Sequence, residues 1–374
     1  MKNLFFYGTL RHIPLLEAVL GRQADTLDLV ASELADYIVT GVTEGPFPTI
    51  TPRPGAIAEG ILVRGLDETD IARLDFYEGS FDYDLVGATL KNGEACEFYI
   101  SPAGRWTPTQ PWSLNEWVTE HGEMALNAAG EVMRLMGVKT RDEVAVMFPR
   151  IRARAASRMR GGQEKPDNGT FRGKVDVTRI SPGYAHFFAL DDVHLRHERF
   201  DGTLSGEIER AALISTDAAI VLPYDPVRDR VLVVEQVRIG PIMRGDPAAW
   251  QFEPVAGLID AGETPQDAAR REAGEEAGLS LTTLLPVAEV YSSPGNSTGF
   301  YYIYVGLTDL PDDSAGHGGL DEEGEDIRSH LMSLDDLMAL VDGRLAVNAP
   351  LVIAAYWLAR NRDGLRSPQG ADTA

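Results

Sequence analysis

The sequence predicts an α+β protein with two domains, and three observations lead to this prediction. The chain has 374 residues, and single hydrophobic cores stop growing beyond roughly 250–300 residues. A cluster of Gly, Pro and polar residues without apolar periodicity covers 160–169, as is typical of a linker. Strand-like and helix-like runs occur on both sides of it. We therefore predict a first domain over 1–160, a linker over 161–172, a second domain over 173–365 and a disordered tail over 366–374.

The first domain combines short predicted strands with two longer predicted helices. Apolar runs bounded by turn residues predict strands over 4–7, 61–63 and 95–100. Apolar residues at helical spacing predict helices over 112–136 and 141–159. Pro149 lies within the second helix and lacks an N–H, so we expect it to break or kink that helix.

The second domain alternates strands and helices. Apolar runs predict strands over 218–222, 231–235 and 300–305. Helical spacing predicts helices over 264–277, 334–341 and 350–359.

The composition excludes some classes of protein. The formal net charge is −23, whereas a nucleic-acid-binding protein needs an excess of Lys and Arg to neutralise phosphates. The single cysteine, Cys96, cannot form an internal disulfide, which favours a reducing compartment. The N-terminus lacks the features of a signal peptide, and the apolar run over 349–359 is too short to cross a bilayer. We expect a cytoplasmic protein without nucleic-acid or membrane partners.

One segment of the second domain carries a candidate metal site. Its helix is predicted to begin after Thr264, a good N-cap, and to end at Gly278. Glu272, Glu275 and Glu276 have i, i+3 and i+4 spacing, which places their carboxylates on one face. Their mutual repulsion would be reversed by a cation, and such oxygen ligands suit Mg²⁺ or Mn²⁺. The alternative is a solvated acidic helix face.

The segment over 257–279 resembles the Nudix pattern G-x5-E-x7-R-E-U-x-E-E-x-G-U, where U is a bulky aliphatic residue, with the small Ala273 at the first U. The stretch over 183–360 resembles the ADP-ribose pyrophosphatase branch of that family. The matching segments include Leu222-Pro223-Tyr224-Asp225-Pro226, Glu253-Pro254-Val255-Ala256-Gly257 and Ser293-Pro294-Gly295. The resemblance implies an α/β/α sandwich and an Mg²⁺-dependent hydrolase. Its expected reaction converts ADP-ribose, or a related ADP-sugar, into AMP and a sugar phosphate such as ribose 5-phosphate.

The resemblance also implies roles for acidic residues. Glu272 and Glu276, together with the Ala256 carbonyl, would bind the metal, and Glu325 would be a further ligand. Glu323 would be the general base that activates water, a reaction that a loop carboxylate can perform. For Glu323 and Glu325 the alternative is a solvated surface loop.

Substrate contacts and assembly follow from the same resemblance. Arg210 and Arg238 would bind the phosphates and the adenosine portion, since arginine matches phosphate oxygens. Phe187 or Phe188 would stack on adenine. Relatives form homodimers through N-terminal strands that cross between subunits, and here 184–213 would supply those strands.

One position departs from the branch. Relatives carry an acidic residue just after the Ser-Pro-Gly turn, where it binds the terminal ribose, whereas this chain has Gly299. The preferred terminal sugar is therefore left open, and we expect weaker discrimination between sugars.

Two motifs in the first domain resemble the gamma-glutamylcyclotransferase-like family over 2–125, a small mixed β-barrel. They are the loop Tyr7-Gly8-Thr9-Leu10 and the segment Leu74-Asp75-Phe76-Tyr77-Glu78-Gly79. In that family the loop binds the carboxylate end of the substrate. The glutamate matching Glu78 transfers the proton while 5-oxoproline forms and an amine is released. Burial would raise the pKa of such a carboxylate, with Phe76, Tyr77 and Phe81 as an apolar wall.

Three alternatives remain open from the sequence. The first domain is retained for binding or scaffolding, with Glu78 an ordinary surface acid. The second domain senses a nucleotide, or acts as a scaffold, without catalysis. The main activity is gamma-glutamyl cyclotransfer in the first domain.

Overall fold

The computed structural model describes residues 1–79, 83–163, 166–320 and 324–366. The chain divides into two compact units, Met1–Glu209 and Arg210–Ala374. Both units contain helices and strands, so the predicted α+β class is confirmed. The domain limits at 160 and 173 stay predictions. Within the described residues, no helix is long and apolar enough to cross a membrane.

A mixed six-stranded sheet forms the core of the first unit. Its strands are β1 (Lys2–Phe6), β2 (Asp28–Val42), β3 (Pro48–Leu66), β4 (Asp84–Thr89), β5 (Ala95–Ile100) and β6 (Pro108–Pro111). The order is β4-β5-β1-β3-β2-β6, with β1 parallel to β5. The sheet curls into a half-barrel around the buried side chains of Phe5, Leu62 and Phe98.

Helices cover this sheet and extend beyond it. They are α1 (Ile13–Leu20), α2 (Glu68–Glu78), α3 (Leu114–Trp117), α4 (Glu123–Arg134) and α5 (Arg141–Gly162), with a π-helical turn between α3 and α4. Helix α5 continues through Pro149, so the predicted break there is wrong. Val144 and Ile151 are fully buried on either side of Pro149, and this packing outweighs the lost hydrogen bond. Arg154 and Glu131 pair at 2.6 Å between α5 and α4.

An antiparallel hairpin completes the first unit. Strands β7 (Val175–Ala185) and β8 (Ala189–His197) pair along most of their length. The short turn between them contains Phe187 and Phe188. Strand β9 (Ile208–Ile214) follows and spans the division between the units.

The second unit has a mixed eight-stranded sheet. Its strands are β10 (Ala218–Asp225), β11 (Arg230–Val237), β12 (Trp250–Glu253), β13 (Val255–Leu258), β14 (Thr283–Tyr291), β15 (Phe300–Leu307), β16 (His317–Gly318) and β17 (Ile327–Ser333). The main order is β14-β15-β10-β11-β17-β16, while β12 pairs with β11 and β13 with β10. The helices are α6 (Ile239–Arg244), α7 (Pro265–Ala277), α8 (Leu334–Asp342) and α9 (Ala349–Arg366).

Helices lie on both faces of this sheet because its central strands are apolar on both sides. In β10, Ala219 and Val221 belong to the same buried cluster as Ala269 of α7. Ile220 and Leu222 point to the opposite face, in the cluster that contains residues of α8 and α9. The predicted α/β/α sandwich is therefore confirmed, and helix α7 carries the predicted metal-binding carboxylates.

Candidate active sites

The loop after β13 leads into α7, and local chemistry fixes both ends of this helix. The Thr264 hydroxyl accepts a hydrogen bond from the amide of Asp267 at 3.1 Å, which caps the helix as predicted. Gly278 ends the helix in the left-handed conformation, with φ of 65°, where glycine carries no Cβ penalty.

Glu272 and Glu276 lie close to strand β13. Glu276 is only 3% exposed and accepts a hydrogen bond from the Ala256 amide at 3.3 Å. The Glu272 carboxylate occupies the space that a Cβ at Gly257 would fill. Burial raises the pKa of Glu272 to about 7, and burial together with the charge of Glu272 raises the pKa of Glu276 to about 8. These two carboxylates are therefore costly to ionise without a cation.

Arg271 organises the other acidic residues of this segment. Its guanidinium donates to Glu263 at 2.9 Å, to Glu272 at 2.6 Å and to Glu275 at 2.9 Å. It also donates to the carbonyl of Leu258 at 3.0 Å. Glu275 therefore forms an ion pair with Arg271. The sequence analysis, which predicted Glu275 as a metal ligand, did not predict this ion pair. The i, i+4 spacing of Arg271 and Glu275 was the available signal for it.

Arg238 lies at the start of α6 and pairs with a buried carboxylate. It donates to Glu253 at 2.9 and 2.6 Å. Burial lowers the pKa of Arg238, but the hydrogen bond to Glu253 and the charges of Glu253, Glu276 and Glu325 outweigh this and raise it. Glu325 accepts a hydrogen bond from the Leu320 amide at 3.3 Å. The charges of Glu276 and Glu325 therefore act on Arg238.

The carboxylates of this site are of the type that binds a divalent cation. Glu323, the predicted general base, lies outside the described residues. Among the residues that the structure describes, no group of three or more His, Cys, Asp or Glu side chains is positioned to hold a metal ion. The half-buried Glu272 and the buried Glu276 fit a cation, because a cation would keep both carboxylates ionised. Their oxygen atoms are the ligands that Mg²⁺ and Mn²⁺ prefer.

The other predicted substrate contacts lie on β9 and in the β7–β8 turn. Arg210 is exposed on β9 in the second unit. Phe187 and Phe188, in the first unit, are 45% and 40% exposed and meet edge to face at 4.8 Å. The Arg150 guanidinium lies 4.4 Å from the centre of the Phe187 ring. The sequence analysis did not predict this cation–π contact, because its partners are distant along the chain.

A second candidate site is a cavity of about 260 Å³ in the first unit. Its lining includes all five site residues predicted for this domain, namely Tyr7, Gly8, Thr9, Leu10 and Glu78. A Cβ at Gly8 would lie 3.1 Å from Cγ of Pro48. The absence of a side chain at Gly8 therefore allows the loop to approach Pro48.

Glu78, the predicted acid–base residue, lines this cavity. Burial raises its pKa to about 7, which suits a group that accepts and returns a proton near neutral pH. Burial, followed by the charge of Glu78, also raises the pKa values of Tyr77 and Tyr83. Of the predicted apolar wall, Tyr77 lines the cavity and Phe76 does not, while Phe81 lies outside the described residues.

Helices α3 to α5 contribute cavity residues that the sequence analysis missed. They are Trp117, His121, Met124, Ala125, Ala128, Phe148 and Arg152. These residues line the cavity because of tertiary packing, and no sequence motif predicts it.

Known proteins resemble both units. The NUDIX domain family model matches residues 215–354, and the family model for gamma-glutamyl cyclotransferase, AIG2-like, matches residues 4–118. An ADP-ribose pyrophosphatase from Escherichia coli (strain K12) is 41% identical over 207 residues, covering 54% of this chain and 98% of that protein. A GDP-mannose pyrophosphatase from Enterobacter sp. (strain 638) is 30% identical over 155 residues, covering 41% of this chain and 80% of that protein.

A solved structure titled "Crystal structure of ADP compounds hydrolase" is 21% identical, with a TM-score of 0.41, and covers 52% of this chain and 97% of that chain. The fold of the second unit and its carboxylate-bearing helix define a Nudix hydrolase. The chain belongs to the Nudix family, in the group whose members are named ADP-ribose pyrophosphatase, and carries an additional gamma-glutamylcyclotransferase-like domain.

Proposed function

We propose that the second unit hydrolyses the diphosphate of ADP-ribose, or of a related ADP-sugar. With ADP-ribose and water the products are AMP and ribose 5-phosphate. The observation that carries this proposal is the pair formed by the half-buried Glu272 and the buried Glu276 in a Nudix box that keeps every acidic position. The charge of Glu276 also acts on Arg238. The 41% identity to an ADP-ribose pyrophosphatase supports the choice of substrate. The rival role as a nucleotide sensor is less favoured, since this box keeps every acidic position.

The proposed metal ligands are the Ala256 carbonyl, Glu272, Glu276 and Glu325, with Glu275 as a further candidate. A bound Mg²⁺ or Mn²⁺ would offset the charge that develops on the diphosphate. Arg238 would bind phosphate oxygens, and its salt bridge to Glu253 would fix its orientation. Arg210 and Phe187 or Phe188 would contact the adenosine part.

Glu323 would take a proton from the attacking water. The water oxygen then forms a bond to one phosphorus, and the bond from that phosphorus to the bridging oxygen breaks. The bridging oxygen leaves with the other phosphate, so that two phosphomonoesters are formed.

Gly257→Ala is expected to lower the Mg²⁺ affinity or the activity about 10- to 100-fold, which is the usual effect of disturbing the support of a metal ligand. The added methyl group would occupy the position of the Glu272 carboxylate. A Mg²⁺ titration of ADP-ribose hydrolysis measures both quantities. Gly274→Ala is the matched control, because the nearest atom to a Cβ there lies 4.0 Å away. Equal Mg²⁺ titrations for the two variants would contradict the role of Glu272.

Discrimination between terminal sugars is expected to be modest, and Gly299→Glu should increase it in favour of ADP-ribose. A carboxylate at 299 can accept hydrogen bonds from ribose hydroxyls, which glycine cannot. A Cβ at Gly299 would lie 3.0 Å from Oγ of Ser292 and 3.3 Å from Oγ of Ser297, so a small shift of these side chains is needed. The measurement is the ratio of kcat/KM for ADP-ribose and ADP-glucose. A native preference of several orders of magnitude would show that another residue makes this contact.

We further propose a homodimer through the predicted domain over 173–365, with the strands over 184–213 crossing to the partner. Exposed apolar side chains on β7 and β8 support this, namely Val175, Val177, Tyr184 and Leu190, since such surfaces often mark interfaces. Sedimentation should give twice the monomer mass at micromolar concentration. A fully active monomer would contradict the proposal.

We also propose that the protein is cytoplasmic, because its single cysteine, Cys96, favours a reducing compartment.

For the first unit we propose gamma-glutamyl cyclotransfer, which the cavity around Glu78 favours. The substrate's α-amine nitrogen attacks its own γ-carbonyl carbon, a C–N bond forms, and the bond to the leaving amine breaks. Glu78 accepts the proton from the attacking amine and returns it to the leaving amine. The products are 5-oxoproline and the free amine, and the rival is a binding domain without catalysis.

A further inference from the structure

Two arginines of helix α5 contact the β7–β8 turn that carries Phe187 and Phe188. The Arg154 guanidinium donates a hydrogen bond to the carbonyl of Phe187 at 3.1 Å. Four residues earlier on the same helix, the half-buried Arg150 places its guanidinium 4.4 Å from the centre of the Phe187 ring. Residues with i, i+4 spacing lie on one face of a helix. One face of α5 therefore contacts both the backbone and the ring of Phe187.

Arg154 can fix this turn because its own position is fixed. Its side chain is only 2% exposed, and it donates to the Glu131 carboxylate of α4 at 2.6 and 2.9 Å through Nη2 and Nε. The remaining nitrogen, Nη1, donates to the Phe187 carbonyl. Breaking a buried ion pair leaves an uncompensated charge, which is strongly unfavourable. The backbone of Phe187 is therefore bound to a rigid part of the first unit.

The strand that follows the turn also interacts with these helices. Asp191 of β8 is 6% exposed. Burial raises its pKa, and the charges of Arg134 on α4 and Arg158 on α5 oppose this rise. The Phe187 ring nevertheless stays 45% exposed. The turn thus presents an aromatic ring that is held in place by α5 and open to a planar ligand.

The two arginines lie between the parts of the chain that resemble known families. The gamma-glutamyl cyclotransferase match ends at residue 118 and the NUDIX match begins at residue 215, whereas α5 spans Arg141–Gly162. Helix α5 is therefore an element of the segment that joins the two matched parts.

We propose that Arg150 and Arg154 are positioning residues for ADP-ribose hydrolysis, which fix the Phe187 ring for stacking on the adenine. This inference rests on the proposed function of the second unit and on the proposed contact of this turn with the adenosine part. A mobile ring loses conformational freedom when it binds a ligand, and a ring fixed in advance avoids that cost. The two arginines should therefore act on substrate affinity and leave the turnover of bound substrate unchanged.

The first test uses the full chain with ADP-ribose and saturating Mg²⁺. Arg150→Gln should raise KM about threefold to tenfold, the size of a cation–π contact, and keep kcat within about twofold. Arg150→Lys retains a cation and should recover most of the lost affinity. Arg141→Gln changes an exposed arginine at the start of the same helix, which pairs with Asp142 at 3.6 Å, and is the matched control with the native KM.

Arg154→Lys tests the contact to the backbone. Lysine keeps the charge that Glu131 requires but lacks the fork with which arginine binds Glu131 and the Phe187 carbonyl together. KM for ADP-ribose should rise about threefold or more, with kcat nearly unchanged. An unchanged KM in this variant would overturn the role of Arg154.

Product inhibition separates positioning of the ring from a general effect on the fold. In Arg150→Gln the inhibition constant of AMP, which carries the adenine, should rise by the same factor as KM. That of ribose 5-phosphate, which lacks the base, should stay the same. In a Phe187→Leu background, Arg150→Gln should have little further effect, because the two residues act as one unit. Equal losses with both inhibitors, a fall in kcat alone, or full additivity of the two substitutions would overturn the inference.

A failure of the proposed reaction gives a different result. If ADP-ribose is not hydrolysed, calorimetric titration with AMP decides. Binding of AMP that Arg150→Gln weakens and Arg141→Gln does not would support the inference while the proposed reaction fails. Absence of AMP binding by the native chain, or equal binding by the native chain and Arg150→Gln, would overturn it.

Discussion

Glu276→Gln is expected to lower kcat/KM for ADP-ribose by at least about 100-fold, the size of effect seen when one preorganised electrostatic contact is removed. Glu276 is almost fully buried, accepts a hydrogen bond from the Ala256 amide, and its charge contributes to the raised pKa of Arg238. An amide at this position keeps the shape of the side chain but removes its charge. The measurement is AMP release at several Mg²⁺ concentrations.

The matched control for this variant is Glu289→Gln, which changes an exposed carboxylate on β14 of the same unit. It should leave kcat/KM within about twofold, because isolated surface charges contribute little. Circular dichroism should show the same secondary-structure content in both variants. Near-normal turnover of Glu276→Gln at saturating Mg²⁺ would contradict the assignment of Glu276 as a metal ligand.

Glu78→Gln is expected to lower 5-oxoproline release about 100- to 10,000-fold, the usual contribution of a positioned acid–base group. Glu78 accepts a proton only when it is ionised, and burial raises its pKa to about 7. The native kcat/KM for cyclotransfer should therefore be low below pH 6, rise through about pH 7 and level off above pH 8. Glu78→Gln should lose this rise.

ADP-ribose hydrolysis in the same sample is the internal control for Glu78→Gln, since the two sites lie in different units. Glu68→Gln, at the exposed start of α2, is the matched variant and should keep the pH profile. A native profile that is flat between pH 6 and pH 8 would contradict acid–base catalysis by Glu78. The first unit would then be a binding domain.

The sequence predicted best what depends on neighbours along the chain. The helix over Pro265–Ala277 has a capping residue, a glycine stop and a repeated acidic face, and the structure contains it within one residue of the prediction. Apolar runs gave β5, β10, β11 and β15 for the same reason. The loop at Tyr7 and the segment around Glu78 are far apart in sequence, and the family resemblance alone indicated that they share a cavity.

The features that were missed depend on tertiary contacts. Strands β2 and β3 pair over most of their length, yet β3 contains three prolines and several glycines that resemble loop sequence. Helix α5 continues through Pro149 because residues on both sides are buried. Arg152 is one of many arginines in that helix. Its place in the cavity follows from the packing of α5, which the local sequence does not encode.

The most direct test of the account is the reaction of the purified full chain with ADP-ribose and Mg²⁺, followed by identification of the products. The proposed function predicts AMP and ribose 5-phosphate in equal amounts, with no release when a chelator removes the metal. A panel of other nucleoside diphosphate compounds, including GDP-mannose and ADP-glucose, measures the preference in the same experiment. Absence of AMP from ADP-ribose, while the chain is folded and Mg²⁺ is saturating, would contradict the central claim.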